Sequence, residues 1–121
     1  MQRLFASILF SAAALFATAQ QHDITVTDTD AMRASADKHT ALVDKTVTLD
    51  ADQKAKVQEI YMNLERKLEG MNQRFEKGGL TKEEREAEMA PQWVSLEKAV
   101  DQQLAEVLTP DQAGKWREAK K

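Results

Sequence analysis

Two histidines and no cysteine leave this chain few side chains that could hold a metal or make a covalent bond. His22 is the better placed of the two. If the chain is cleaved after Ala19, His22 becomes the third residue of the mature protein, behind Gln20 and Gln21. A free α-amine, two deprotonated amides and a third-position imidazole can wrap Cu(II) or Ni(II) in the square-planar geometry those ions prefer. Cyclisation of Gln20 would remove that amine. His39 has no second histidine at helical spacing, so it reads as an interfacial histidine rather than a ligand. Ser35 and Ser95 lie in helical patterns with no base beside them in sequence, and the pair Glu83-Glu84 is explained by a helix start. The sequence has no P-loop, nucleophile elbow or Gly-rich dinucleotide turn. These residues point away from an enzyme and call for no cofactor.

The richer chemistry is hydrogen bonding at helix starts. Leu108-Thr109-Pro110-Asp111-Gln112 and Leu49-Asp50-Ala51-Asp52-Gln53 share a pattern, and Leu80-Thr81-Lys82-Glu83-Glu84 is a third relative behind Gly78-Gly79. Each sets a Leu before a Thr or Asp N-cap, with Gln or Glu three residues on. In such a capping box the N-cap oxygen accepts from the N3 amide, and the N3 side chain returns to the N-cap amide. Pro110 suits the first helical position, where its missing N–H would be unpaired anyway. The motif residues are therefore Leu49, Asp50, Gln53, Thr81, Glu84, Leu108, Thr109 and Gln112.

These starts divide the chain into helices. A first helix is expected from Asp30 to about Lys45, with Met32, Ala36, His39 and Val43 on one face. A second runs from the Asp50 cap to about Lys77. Its Val57, Tyr61, Leu64, Leu68, Met71 and Phe75 recur at alternating steps of four and three, a heptad seam widened by Ile60. Gly78-Gly79 stops it, since glycine accepts the left-handed conformation that other residues resist. A third runs from Thr81 to about Val107, with Met89, Trp93, Leu96, Val100, Leu104 and Val107 inward. Pro91 removes a backbone hydrogen bond and predicts a kink; the alternative is two helices parted before it. A short fourth runs from Pro110 to about Ala119. The two long helices are joined by so short a connection that they must be antiparallel. The expected fold is all-α: a long antiparallel helical hairpin flanked by a short N-terminal helix and a short C-terminal helix.

Residues 1–19 read as a secretory signal peptide. Arg3 gives the positive start, Leu4 to Phe16 the apolar stretch, and Ala17-Thr18-Ala19 the cleavage site. The apolar stretch is short for a membrane span, which needs about 20 residues, so the mature form is expected to have no span; a retained anchor is the alternative. Residues 20–29 are polar and read as a flexible tail, with Ile24 and Val26 alternating as in a short strand that has no partner. Residues 30–121 form the helical domain. The formal net charge is −3, and loss of Arg3 takes it to about −4. That mild acidity argues against nucleic acid as a partner. The mature part holds about 18 Leu, Ile, Val and Phe in roughly 102 residues, a thin supply that a homodimer would complete.

With these features placed, the chain resembles the LTxxQ-motif periplasmic family, which includes the Spy and CpxP stress proteins. Leu108 to Gln112 matches the motif fully, and Leu49 to Gln53 departs only in Asp50 for Thr, an equally good cap. The order of export signal, short helix, motif, hairpin, motif and short basic helix is also similar. The resemblance implies a curved periplasmic helical protein that holds unfolded or misfolded envelope proteins without ATP, often as a dimer. It also implies contact with a sensor kinase in some members. This chain differs from them in being acidic overall. Met62, Met71 and Met89 are candidate client contacts, because methionine adapts to varied surfaces. Two other readings stand beside the chaperone: a regulatory or metal-responsive module contacting a membrane sensor, and a structural helical protein without client activity.

Overall fold

The computed structural model describes residues 24–121. The expected leader (1–19), the cleavage after Ala19 and His22 lie outside the described residues. The described chain forms four helices: α1 (Asp30–Val47), α2 (Ala51–Lys77), α3 (Lys82–Val107) and α4 (Pro110–Ala119). The fold is all-helical, with short helices flanking two long ones. At 1.5 Å per residue, α2 and α3 are each about 40 Å long.

Each helix begins where side-chain oxygen meets an unpaired backbone amide. Asp50, Thr81 and Thr109 all sit in extended backbone and close full capping boxes with Gln53, Glu84 and Gln112. The start of α1 has a simpler cap, Thr29, whose hydroxyl accepts from Met32 N at 3.2 Å. The hairpin turn is built as the glycine pair required. Gly79 has φ +69°. Its amide reaches Glu76 O at 3.1 Å, and Leu80 N reaches Phe75 O at 3.1 Å. That is the paired closure of a Schellman motif, which satisfies the last carbonyls of α2. The helix α3 continues unbroken through Pro91, so the alternative of two separate helices is not adopted.

The core gathers at the end of the hairpin away from this turn. Val43 of α1, Val57 of α2 and Leu104 of α3 are wholly or almost wholly buried, and Leu49, Leu108 and Trp116 close the cluster. Here α2 is packed by α1 on one side and α3 on another, while α4 folds back mainly against α1. Ile60, Tyr61 and Met62 are consequently buried in succession. A helix with a partner on one side only could not bury three neighbouring positions.

Toward the turn the cover ends. α1 has 18 residues against 27 in α2, so among the described residues the part of the hairpin nearest the turn is two helices thick. This corrects two expectations. Trp93, placed inward by its spacing, is 44% exposed and stays outside the buried cluster. Met62, read as a client contact, is only 5% exposed and belongs to the core. Met71 and Met89 are half-buried.

Residues 24–29 also differ from the expected flexible tail. They run extended along α2, continuing the track of α1 past its first residue. Arg66 grips Asp28 through Nε and Nη2, each at 2.8 Å, and Gln73 Nε2 donates to Thr25 O at 2.7 Å. Ile24, Val26 and Asp28 are half-buried while Thr25 and Thr27 are exposed, the period-two alternation of extended chain. The strand pattern thus finds a helix to lie on rather than a second strand.

Candidate functional site

Six of the eight motif residues come together. The capping boxes of α2 and α4 meet face to face, and their glutamines interlock. Gln53 Nε2 donates to Gln112 Oε1 at 2.7 Å, and Gln112 Nε2 donates back to Gln53 Oε1 at 3.2 Å. Each oxygen also accepts from its own N-cap amide: Asp50 N at 3.1 Å and Thr109 N at 2.9 Å. The remaining hydrogens go across the junction. Gln53 donates to Val107 O at 3.2 Å and Gln112 to Thr48 O at 2.8 Å. Val107 and Thr48 are the residues just before Leu108 and Leu49, so the two motifs hold each other reciprocally. Each primary amide has two donors and an oxygen with two lone pairs, and here every one of them is used. Leu49 and Leu108 anchor the junction into the core beneath.

Thr81 and Glu84 stay apart at the turn end, where they close a solitary box. The difference explains the side chain at N3. A carboxylate can accept from the N-cap amide, but only an amide can also donate to a neighbouring motif.

Thr48 carries a backbone cost at this junction. Its φ is +58°, the one non-glycine residue with positive φ among those described. For a β-branched residue that conformation is a true outlier, and here it accompanies the carbonyl that Gln112 binds. Asp44 braces the same corner, accepting from Leu49 N at 2.8 Å with Lys54 at 3.4 Å. The Leu49 amide, helped by Lys54, holds the Asp44 carboxyl below the usual range against the opposing effect of partial burial.

Beside the junction an open groove of about 470 Å³ runs between α3 and α4. Leu104, Leu108, Ala113 and Trp116 give it an apolar lining, with Val94 at 70% exposure along its edge. Charges of both signs line it as well: Glu97, Lys98, Asp101, Arg117 and Lys120. Lys120 is fixed there by Asp101 at 2.7 Å and lies 5.8 Å from the centre of the Trp116 ring. Trp116 keeps a buried indole N–H with no hydrogen-bond partner among the described residues. Sequence periodicity missed this groove, because its exposed half belongs to positions between the heptad repeats.

Residues 19–116 match a family described as a domain of unknown function, DUF4890. The chain belongs to the DUF4890 family. No curated protein and no solved structure matches it. In this DUF4890 chain the matched span holds Gln53, Gln112, Arg66, Gly70 and Trp116, so the junction lies inside the family's domain, as does the groove apart from Arg117 and Lys120.

His39 is exposed, and its ring stacks on Tyr61 with centroids 4.8 Å apart and planes 13° from parallel. Burial, and secondarily the charge of Asp101, push the Tyr61 hydroxyl up to about 12. Ser35 finds a partner 30 residues away, donating to Glu65 Oε1 at 2.6 Å. A carboxylate alone is far too weak a base to ionise a hydroxyl at neutral pH, so this contact ties α1 to α2. Among the described residues no three His, Cys, Asp or Glu converge as a metal site would need.

Proposed function

We propose that the protein is an exported, ATP-independent holdase of the Spy/CpxP kind, acting in the periplasm on unfolded or misfolded envelope proteins. The observation that carries this reading is the apolar surface left open on α3 and its groove with α4. Trp93 is 44% and Val94 is 70% exposed, beside a groove lined by Leu104, Leu108 and Trp116. A shallow apolar strip edged by charges of both signs holds an unfolded segment weakly and releases it without an energy source. The interlocked caps fix the start of α4, which forms one wall of the groove, and so reduce the ordering needed when a segment docks.

The test is suppression of aggregation of a chemically denatured client by the purified full chain at stoichiometric amounts. Suppression that drops when Val94→Glu and Trp93→Glu are introduced, with the helical circular dichroism unchanged, supports the reading. A chain that suppresses nothing, or variants that work as well as the original, overturns it.

A further inference from the structure

We propose that the face of α2 around Arg66, Gly70 and Gln73 is a docking surface for extended peptides, and that residues 24–28 are its resident ligand. The partner it fits is an extended segment of an unfolded chain in which apolar residues alternate and a carboxylate follows two positions after the last.

The seat is built to that pattern. Gln73 takes a main-chain carbonyl, Thr25 O, at 2.7 Å, a contact indifferent to side-chain identity. Val26 packs over Gly70, close enough that a Cβ there would just touch Val26 Cγ2, at 3.7 Å, and a longer side chain would displace it. Arg66 takes the carboxylate of Asp28 in a two-pronged pair and is itself held in place by Glu59 at 2.8 Å and Asn63 at 2.7 Å. A guanidinium fixed in this way is pre-organised for a planar carboxylate. The three contacts fall at Thr25, Val26 and Asp28, so they read backbone, apolar side chain and charge in turn. The seat is also wider than its occupant. A groove of about 320 Å³ remains beside the segment, lined by Ile24, Val26, Lys67, Met71 and Arg74. The cations Lys67 and Arg74 in its lining favour acidic over basic segments there.

A covalently attached segment competes at an effective concentration in the millimolar range. Outside peptides therefore dock when the resident one is weakened or outnumbered. The inference deepens the holding role proposed above, but peptide docking is measured without any aggregating client, so either can fail while the other stands.

The experiment follows the fluorescence anisotropy of a labelled peptide copying residues 23–30, added to the full-length chain. Val26→Ser with Asp28→Ala loosens the resident segment, and this chain is expected to bind the peptide about tenfold more tightly than the unchanged one. Adding Arg66→Glu is expected to weaken binding about tenfold. A peptide carrying Asp28→Lys is expected to recover it on the Arg66→Glu chain. Gly70→Leu supplies a second block that leaves the charges alone, and circular dichroism checks that each chain is folded. Equal binding by all the chains, no binding by the loosened chain at millimolar peptide, or no recovery by the charge-swapped peptide would overturn the proposal.

Discussion

The side chains of Gln53 and Gln112, 59 residues apart, exchange hydrogen bonds at 2.7 and 3.2 Å while each caps its own helix. The exchange makes two local devices into one tertiary joint. It also predicts that the amide cannot be replaced by a carboxylate. Gln112→Glu keeps the cap but leaves Thr48 O without its donor and sets a charge against Gln53 Oε1. A loss of about 1–2 kcal/mol is expected in urea unfolding, since part-buried groups are left unpaired. Glu84→Gln, at the solitary box, is expected to stay within about 0.5 kcal/mol. Equal effects at the two positions would refute the joint.

Thr48 provides an opposite test. At φ +58° it stores steric strain that glycine does not feel. Thr48→Gly keeps the carbonyl that Gln112 binds. The relief, less the added freedom of the unfolded chain, is expected to stabilise the fold by about 1 kcal/mol. A lower melting temperature would show that the Thr side chain contributes something else at this corner.

The uneven core predicts an uneven mutational response. Leu104 is 1% exposed in the three-layered part, and Leu104→Ala is expected to cost about 2–5 kcal/mol through lost burial and a cavity. Val94→Ala, at 70% exposure on the edge of the groove, is expected to change stability by no more than about 0.5 kcal/mol. Urea midpoints for the two variants measure the contrast directly.

Tyr61 is the only tyrosine in the chain, so ultraviolet absorbance of tyrosinate reports it alone. The midpoint is expected near 12 rather than the ordinary 10. The folded value lies above the unfolded one, so this stabilising contribution is complete below pH 10 and is lost as pH rises through 12. Asp101→Asn should lower the midpoint modestly, because burial is the larger cause. A midpoint at the ordinary value would mean the ring is not sealed against α1 and α3.

On the acid side, Asp28 and Asp44 both titrate below the usual 3.8. For Asp28 the cause is the hydrogen bonds from Arg66, and for Asp44 the Leu49 amide. Their stabilisation is present above 3.8 and is lost as pH falls through the lowered values. Backbone NMR order parameters in residues 24–29 are therefore expected to be low for the Arg66→Ala chain at neutral pH, and to fall for the unchanged chain only below about pH 4. Low order parameters in this segment at neutral pH in the unchanged chain would argue against the clamp.

Much of the fold was legible because it rests on local chemistry. Thr81, Thr109 and Asp50 announce helix starts by what their oxygens can accept, and Gly79 announces a stop by the conformation only it adopts freely. The heptad positions of α2 were legible as well, since periodicity reports a face. What that face meets was not. Trp93 obeys the same spacing as Leu104, yet one is open and the other sealed, because Leu104 lies in the cluster that α1, α2 and α4 close and Trp93 lies outside it. The strap of residues 24–28 was misread for a related reason: alternation in sequence suggests a strand, and only the packed molecule supplied a helix with a glycine and an arginine for it to lie on.

Sequence by itself determined where each helix begins and ends, because capping and turn formation depend on residues within a few positions of one another. Tertiary structure alone decided that Gln53 would meet Gln112, that Met62 would be core, and that Trp93 and Val94 would face water. Those outcomes depend on which rods lie side by side and for how much of their length, and chain folding sets that through contacts dozens of residues apart.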